Sequence, residues 1–254
     1  MPEWHCSDSS VFFFFGSLFL FASQQKEKVN NDYIILKIFL DILYSFYKGN
    51  IMERGLFITF EGADGCGKTT QLMMLAKYLK ENGIDVVVTR EPGAKGLGER
   101  LRDILLNYDG EVSSQAEAFL FLADRAQHMD VIIKPAVASG KVVLCDRHTD
   151  STVAYQGYGR GLDLTRINSL NDIATGGRKP DLTFVFDIDI ETSMARVGNE
   201  KDRMESSGMA FFNRVRNGYL QIAKQEPERV KVIDATQSIE AIHLQVIKFI
   251  NQLR

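Results

Sequence analysis

From residue 55 onward, short and nearly uninterrupted apolar runs alternate with longer stretches in which apolar residues return every three or four positions. The runs are rich in β-branched residues, as strands buried on both faces of a parallel sheet should be. They predict strands over 56–61, 85–90, 142–146, 182–187 and 230–234. The periodic stretches predict helices over 68–82, closed by Gly83, then over 97–107, 114–139, 164–175, 190–197, 208–225 and 239–253. Regular alternation of the two implies one α/β domain, a five-stranded parallel sheet flanked by helices in three layers. Ligands are then expected at the carboxyl ends of the strands.

The first fifty residues break this rhythm. They hold eight of the 17 Phe, three of the 8 Tyr and the only Trp. The apolar run 11–22 has the length of a signal-peptide core, but Glu3 and Asp8 precede it and no Lys or Arg does. It is too short to span a bilayer, and Lys37 and Asp41 interrupt the second apolar stretch, 33–47. Met52 stands just before the first regular strand. Residues 52–254 are therefore read as the working domain with Met52 as its natural start, and 1–51 as upstream sequence or a disordered extension.

A formal net charge of -3 provides no basic field for DNA or RNA, so a nucleic-acid partner is not expected, and neither is a membrane. Cys6, Cys66 and Cys145 are few and far apart, without a CxxC pair, which argues against a disulfide framework or zinc site and fits a reducing cytoplasm.

The strand at 56–61 runs into Gly62-Ala63-Asp64-Gly65-Cys66-Gly67-Lys68-Thr69, a match to G-x-x-x-x-G-K-[ST] with the required strand before it and helix after it. Glycines at 62, 65 and 67 let successive N–H groups turn inward on phosphate oxygens at a helix N-terminus, and Thr70 extends the same turn. Lys68 can reach the β- and γ-phosphates of a nucleoside triphosphate, and the Thr69 hydroxyl can ligate Mg²⁺. The second metal-side group is Asp146, at the end of the apolar run 142–146, with a strand-end cap as the lesser alternative when the segment is read alone. Glu61 and Asp64 are lower-ranked acids, each able instead to bond loop amides. The loop sets the fold as a P-loop fold but leaves the acceptor open. An N-K-x-D guanine motif and a transporter signature are both missing. Arginines at strand ends favour a kinase with an anionic acceptor, and Cys66, inside the loop, is expected to face the phosphates.

FEGADGCGKTTQ at 60–71, TREPG at 89–93, FLADRA at 121–126, DRHTDSTVAYQG at 146–157, DRMES at 202–206 and FFNRVRNGYL at 211–220 together resemble the thymidylate kinase family over essentially all of 54–253. The resemblance implies transfer of a phosphoryl group from Mg·ATP to dTMP, a short mobile lid between about 196 and 205, and a homodimer. It makes Arg147 and Arg90 the grip on the acceptor phosphate, a task for which a planar guanidinium suits better than an ammonium. It makes Phe121 the stacking platform for thymine and Arg125, four residues on and on the same helical face, a donor to O4. An Arg at that point rejects cytosine, whose amino group presents hydrogens instead. Tyr155 and Gln156 are implied to line sugar and base, with Tyr155 crowding the place of a 2′-hydroxyl. Ser151 and Thr152 belong to the same segment, and Asp202 and Glu205 match carboxylates at the end of the lid. The loop carries no arginine, so the cation for the transferring phosphoryl is sought among Arg196, Arg203 and Arg160, with Arg196 or Arg203 preferred. A phosphate acceptor is already anionic, so the chemistry needs positioning and charge neutralisation rather than a base, and His148 is read as packing. The residues 234–236 after the last strand are the expected adenine side. A kinase for another deoxynucleotide or nucleoside, or a catalytically idle nucleotide-binding regulator, are the competing readings.

Overall fold

The computed structural model describes residues 55–196 and 207–253. Five strands, β1 (Phe57–Glu61), β2 (Val86–Arg90), β3 (Val142–Asp146), β4 (Leu182–Asp187) and β5 (Val230–Asp234), pair in parallel in the order β2-β3-β1-β4-β5. β1 is central and buried along its whole length. Its register sets Phe60 beside Asp146, so the segment after β1 and the end of β3 lie together. The chain leaves β1 toward one side of the sheet and returns on the other through β4, which opens a crevice at the carboxyl edge.

Alternation along the strands supplies both faces. Ile58, Phe60, Val142, Leu144, Phe184 and Phe186 point to one side, where α1 (Lys68–Glu81) contributes Leu72, Leu75, Ala76 and Leu79, and α9 (Ile239–Gln252) contributes Ile242, Val246 and Ile250. The spacings i, i+3, i+4, i+7 and i, i+4, i+8 are why these segments are helices with one buried stripe. Each Leu, Ile, Val and Phe among them contributes about 1.5–3 kcal/mol on burial. Phe57, Val143 and Cys145 point the other way, against Met129, Ile133 and Ala136.

The remaining helices are α2 (Leu97–Asn107), α3 (Ser114–His128), α4 (Lys134–Ala138), α5 (Thr149–Thr152), α6 (Leu164–Thr175), α7 (Ile190–Arg196) and α8 (Met209–Gln225). Ser113, Asp163 and Ser238 cap α3, α6 and α9 by accepting from backbone N–H groups three residues on. The helix predicted over 114–139 is interrupted by a π-helical turn at Met129–Ile133, where the Lys134 N–H reaches back to Met129 O. Pro135 has no N–H to donate and crowds the preceding turn, so the ladder widens there. The hydrophobic pattern predicts no element over 149–159, yet α5 continues into a second π-helical turn, Val153–Gly159. Residues 153–157 are all buried, so no amphipathic period marks the segment. The predicted ends at 82, 208 and 253 each lie one residue beyond the observed helices, and the predicted end at 197 lies outside the described residues.

Candidate active site

Gly62, Gly65 and Gly67 take φ values of 133°, 79° and 95°, which turn the backbone after β1 into a tight loop ahead of α1. A Cβ on Gly62 would also meet the Phe186 carbonyl at 2.6 Å. Lys68 opens α1, buried, with Nζ donating to the carbonyls of Gly62 (3.1 Å) and Ala63 (2.9 Å) and 3.5 Å from Asp64 Oδ1. Phosphate oxygens can replace those carbonyls as acceptors. The Thr69 hydroxyl donates to Asp146 Oδ2 at 3.1 Å, and Asp146 Oδ1 is buried without a partner among the described residues. A hydroxyl and a carboxylate oxygen beside a phosphate loop fit Mg²⁺, which takes one or two protein ligands and fills its octahedron with phosphate and water. Among the described residues no group of three or more His, Cys, Asp or Glu is placed to hold a metal ion.

Cys66 departs from expectation. The residue is 2% exposed, packs in the core with Leu72 and Phe186, and does not line the cavity, its Sγ lying 4.0 Å from Lys68 Nζ. The left-handed turn that aims the loop amides outward sends this side chain under them.

A cavity of about 530 Å³ opens from Gly65, Gly67, Thr69 and Thr70 toward β2 and α3. Arg147, one residue past β3, adopts φ 69°, unusual for a residue with a side chain, and its N–H donates to Phe60 O at 3.0 Å. That twist carries its guanidinium over the loop. Nη2 donates to Asp64 Oδ1 at 2.8 Å, and the group rests 5.0 Å from the centre of the Tyr155 ring. Burial alone would raise the Asp64 pKa, but Arg147 and Lys68 more than offset it and hold the carboxylate ionised. The Tyr155 hydroxyl is buried with no hydrogen-bond partner among the described residues. Glu61 and Asp64 thus serve Arg147 and its neighbours rather than loop amides: Glu61 accepts from His148 N (2.7 Å), Ser151 Oγ (2.6 Å) and Tyr219 Oη (2.9 Å). Burial, with Asp150 nearby, pushes Glu61 up to about 7.

Deeper in the cavity Arg125 is 1% exposed. Nε donates to Glu91 Oε2 (2.9 Å), Nη1 to Thr152 Oγ1 (2.8 Å) and Asn171 Oδ1 (2.7 Å), and Nη2 to His148 O (2.9 Å). A guanidinium has five N–H groups, so four are held within the protein and one on Nη2 remains for an acceptor in the cavity. Burial would raise Glu91, but His148, Arg125 and His128 around it hold its pKa below the ordinary carboxylate value. Phe121, one turn before Arg125 on α3, is half-buried and faces the same space. His148 is fully buried, 4.9 Å from the Phe57 ring, and burial pushes it down to about 3, so it is a neutral packing residue.

The thymidylate kinase family model matches residues 60–246. The chain belongs to the thymidylate kinase family. It is 50% identical over 200 residues to a thymidylate kinase of Desulfovibrio desulfuricans, covering 75% of this chain and 92% of that protein. It is 50% identical over 191 residues to one of Pseudomonas putida, covering 74% and 91%. A crystal structure of thymidylate kinase from Ehrlichia chaffeensis is 43% identical, with a TM-score of 0.65 over 78% of this chain and 98% of that one.

Within this thymidylate kinase fold, Asp64, Gly65, Gly67, Lys68, Thr69 and Thr70 line the cavity, as do Arg90, Phe121, Arg125, Asp146 and Arg147. Ser151, Thr152, Tyr155, Gln156 and Arg196 complete the predicted residues brought there. Gly62 and Ala63 lie beneath it, offering carbonyls to Lys68. Ser151 and Thr152 turn their hydroxyls to Glu61 and Arg125, so their polar atoms organise other side chains, and Gln156 donates from Nε2 to Glu117. Arg160 pairs with Glu117 and lies 4.5 Å over the Phe211 ring, outside the cavity lining. Asp202, Arg203 and Glu205 lie outside the described residues. At residues 234–236, Asp234 Oδ1 accepts from Thr236 N at 3.0 Å and forms a small turn after β5. Sequence reading passed over Glu91, Asn171 and Tyr219, and over Arg102, which lines the cavity and donates from Nη1 to Pro92 O at 2.9 Å. Glu91 and Tyr219 sit inside recognised motifs, whereas Asn171 and Arg102 carry no local signal.

Proposed function

We infer that this protein is a dTMP kinase, transferring the γ-phosphoryl of Mg·ATP to the 5′-phosphate of dTMP to give dTDP and ADP, a step of dTTP biosynthesis. The observation that carries the reading is a single cavity with the Lys68–Thr69–Asp146 phosphate and metal end at one side and Phe121, Arg125 and Tyr155 at the other. When bound at Thr69 and Asp146, Mg²⁺ supplies charge neutralisation and orientation of the phosphates. Lys68 and the loop amides hold the donor phosphates; Arg147 and Arg90 hold the acceptor phosphate in line with them. Arg90 is exposed at the cavity rim. The remaining N–H of Arg125 donates to thymine O4, Phe121 stacks on the base, Gln156 sits beside it, and Tyr155 fills the space of a ribose 2′-hydroxyl. Arg196, exposed at the end of α7 and on the cavity wall, is the proposed cation for the transferring phosphoryl, with Arg203 the alternative and Asp202 and Glu205 ordering the lid.

The family further supports a cytoplasmic homodimer; sedimentation velocity of the purified protein tests the assembly. No helix among the described residues is long and apolar enough to cross a membrane. The activity test is coupled ADP release with Mg·ATP and dTMP, dUMP, dCMP, dGMP, AMP or thymidine in turn. dTMP should give by far the highest kcat/KM and thymidine none; release that no acceptor stimulates would overturn the kinase reading.

A further inference from the structure

We propose that Tyr219 is a positioning residue for the acceptor-phosphate arginine: from α8 its hydroxyl, seated on Glu61 and Ser151, fixes the guanidinium of Arg147 over the phosphate loop. The inference rests on the dTMP kinase reading and deepens it. Tyr219 is 2% exposed and lies in the FFNRVRNGYL motif, to which the chemistry above assigns no role. Its hydroxyl is 2.9 Å from Glu61 Oε2, 2.8 Å from Ser151 Oγ and 3.3 Å from Arg147 Nη1, which also donates to Ser151 Oγ at 3.4 Å.

Glu61 Oε2, Ser151 Oγ and Tyr219 Oη form a triangle with sides of 2.6, 2.9 and 2.8 Å. Each hydroxyl has one hydrogen, so the two hydroxyls can serve only two of the three sides. A proton on Glu61 Oε2 completes the third: Glu61 then donates to one hydroxyl and accepts from the other, which frees a hydroxyl hydrogen for the side between Ser151 and Tyr219. Burial already favours that proton, since it pushes Glu61 up to about 7. Within the closed triangle, both hydroxyl oxygens spend their hydrogens inward and keep lone pairs for the Arg147 N–H groups. Arg147 is thereby held on two sides, by Asp64 from the loop and by the Tyr219–Ser151 edge from below, with the Tyr155 ring as its floor.

A core tyrosine needs only one partner to satisfy its hydroxyl. Tyr219 instead meets three residues that all belong to the site: Glu61 immediately before the phosphate loop, and Arg147 and Ser151 just after β3. Its ring also packs edge-on to Tyr155 at 6.4 Å, so removing the hydroxyl alone leaves the packing in place.

The test compares Tyr219→Phe with the unsubstituted protein, using dTMP and dUMP as acceptors. Because Arg147 reads phosphate and not base, KM should rise roughly tenfold for both acceptors in parallel, the scale of one hydrogen bond to a charged group. KM for ATP and the thermal transition should stay close to those of the unsubstituted protein. In an Arg147→Lys background, Tyr219→Phe should add little, as expected of residues acting through one contact. Unchanged KM for dTMP, effects that multiply in the double variant, or a shift confined to the dTMP-to-dUMP ratio would each overturn the proposal. An unsubstituted protein without dTMP-dependent ADP release would instead sink the underlying kinase reading.

Discussion

Asp124, one residue before Arg125 on α3, is 1% exposed and uses Oδ1 to accept from Gly93 N at 3.3 Å, while Oδ2 is buried with no partner among the described residues. An ionised carboxylate is expensive there, and burial, with Glu91 close by, pushes its pKa up to about 6. The folded state therefore binds more protons than the unfolded chain between about pH 4 and 6. The stability that Asp124 contributes is full below about pH 4 and is lost as pH rises through 6. Asp124→Asn keeps the acceptor for Gly93 and removes the charge, so it should be more stable than the parent by about 1–3 kcal/mol at pH 8 and show little gain at pH 4. Thermal unfolding at the two pH values reads this directly, and equal gaps at both would mean that folding does not shift the Asp124 pKa. Residues of this kind mark the limit of legibility. Lys68, Thr69, Asp146 and Arg147 declare their chemistry through residue type and spacing alone. That Arg125 is caged by Glu91, Thr152, Asn171 and the His148 carbonyl, or that Asp124 is stranded beside it, depends on four segments meeting, which no local pattern encodes.

At the scale of elements, five strands and most helices follow from periodicity because each buries one stripe or two alternating faces. The π-helical turn at Val153–Gly159 does not, since it is enclosed by α3, α6 and α8 and has no polar side to set a period. Its approach to α8 depends on small residues. A Cβ on Gly218 would meet Tyr158 atoms at 2.8–2.9 Å, and one on Gly159 would meet Phe211 and Val215 at 2.7 and 2.9 Å. Gly218→Ala gains about 0.5–1 kcal/mol of helix propensity, but the contact it forces is with the first atoms of a half-buried ring, which have little room to move. Overpacking of that kind costs about 1–3 kcal/mol and should win. The expected outcome is a lower melting temperature, by some 2–4 °C per net kcal/mol for a domain of this size. A raised KM for dTMP should accompany it, because Tyr219 is the next residue on the displaced helix. A melting temperature at or above the parent's would show that α8 can slide away from Tyr158 at no cost.

For the molecule as a whole, alternation of strands and helices makes a parallel sheet legible but leaves its order open. The order β2-β3-β1-β4-β5 is what sets the phosphate loop after β1 beside Asp146 after β3, and this register, not either motif alone, makes one site of the two. Every residue lining the cavity belongs to one compact unit, Met52–Arg254, and the family model lies wholly inside it. An alignment of 200 residues already covers 92% of the Desulfovibrio desulfuricans relative. We therefore propose that 52–254 is the thymidylate kinase domain and works without residues 1–51. A chain beginning at Met52 should match the full 254-residue protein in kcat, in KM for dTMP and ATP, and in the temperature of its main unfolding transition. A uniform loss of stability in the shorter chain would mean that residues 1–51 support the fold. An altered KM at unchanged stability would mean instead that they act on the site, and either result would end the proposal that the domain works without them.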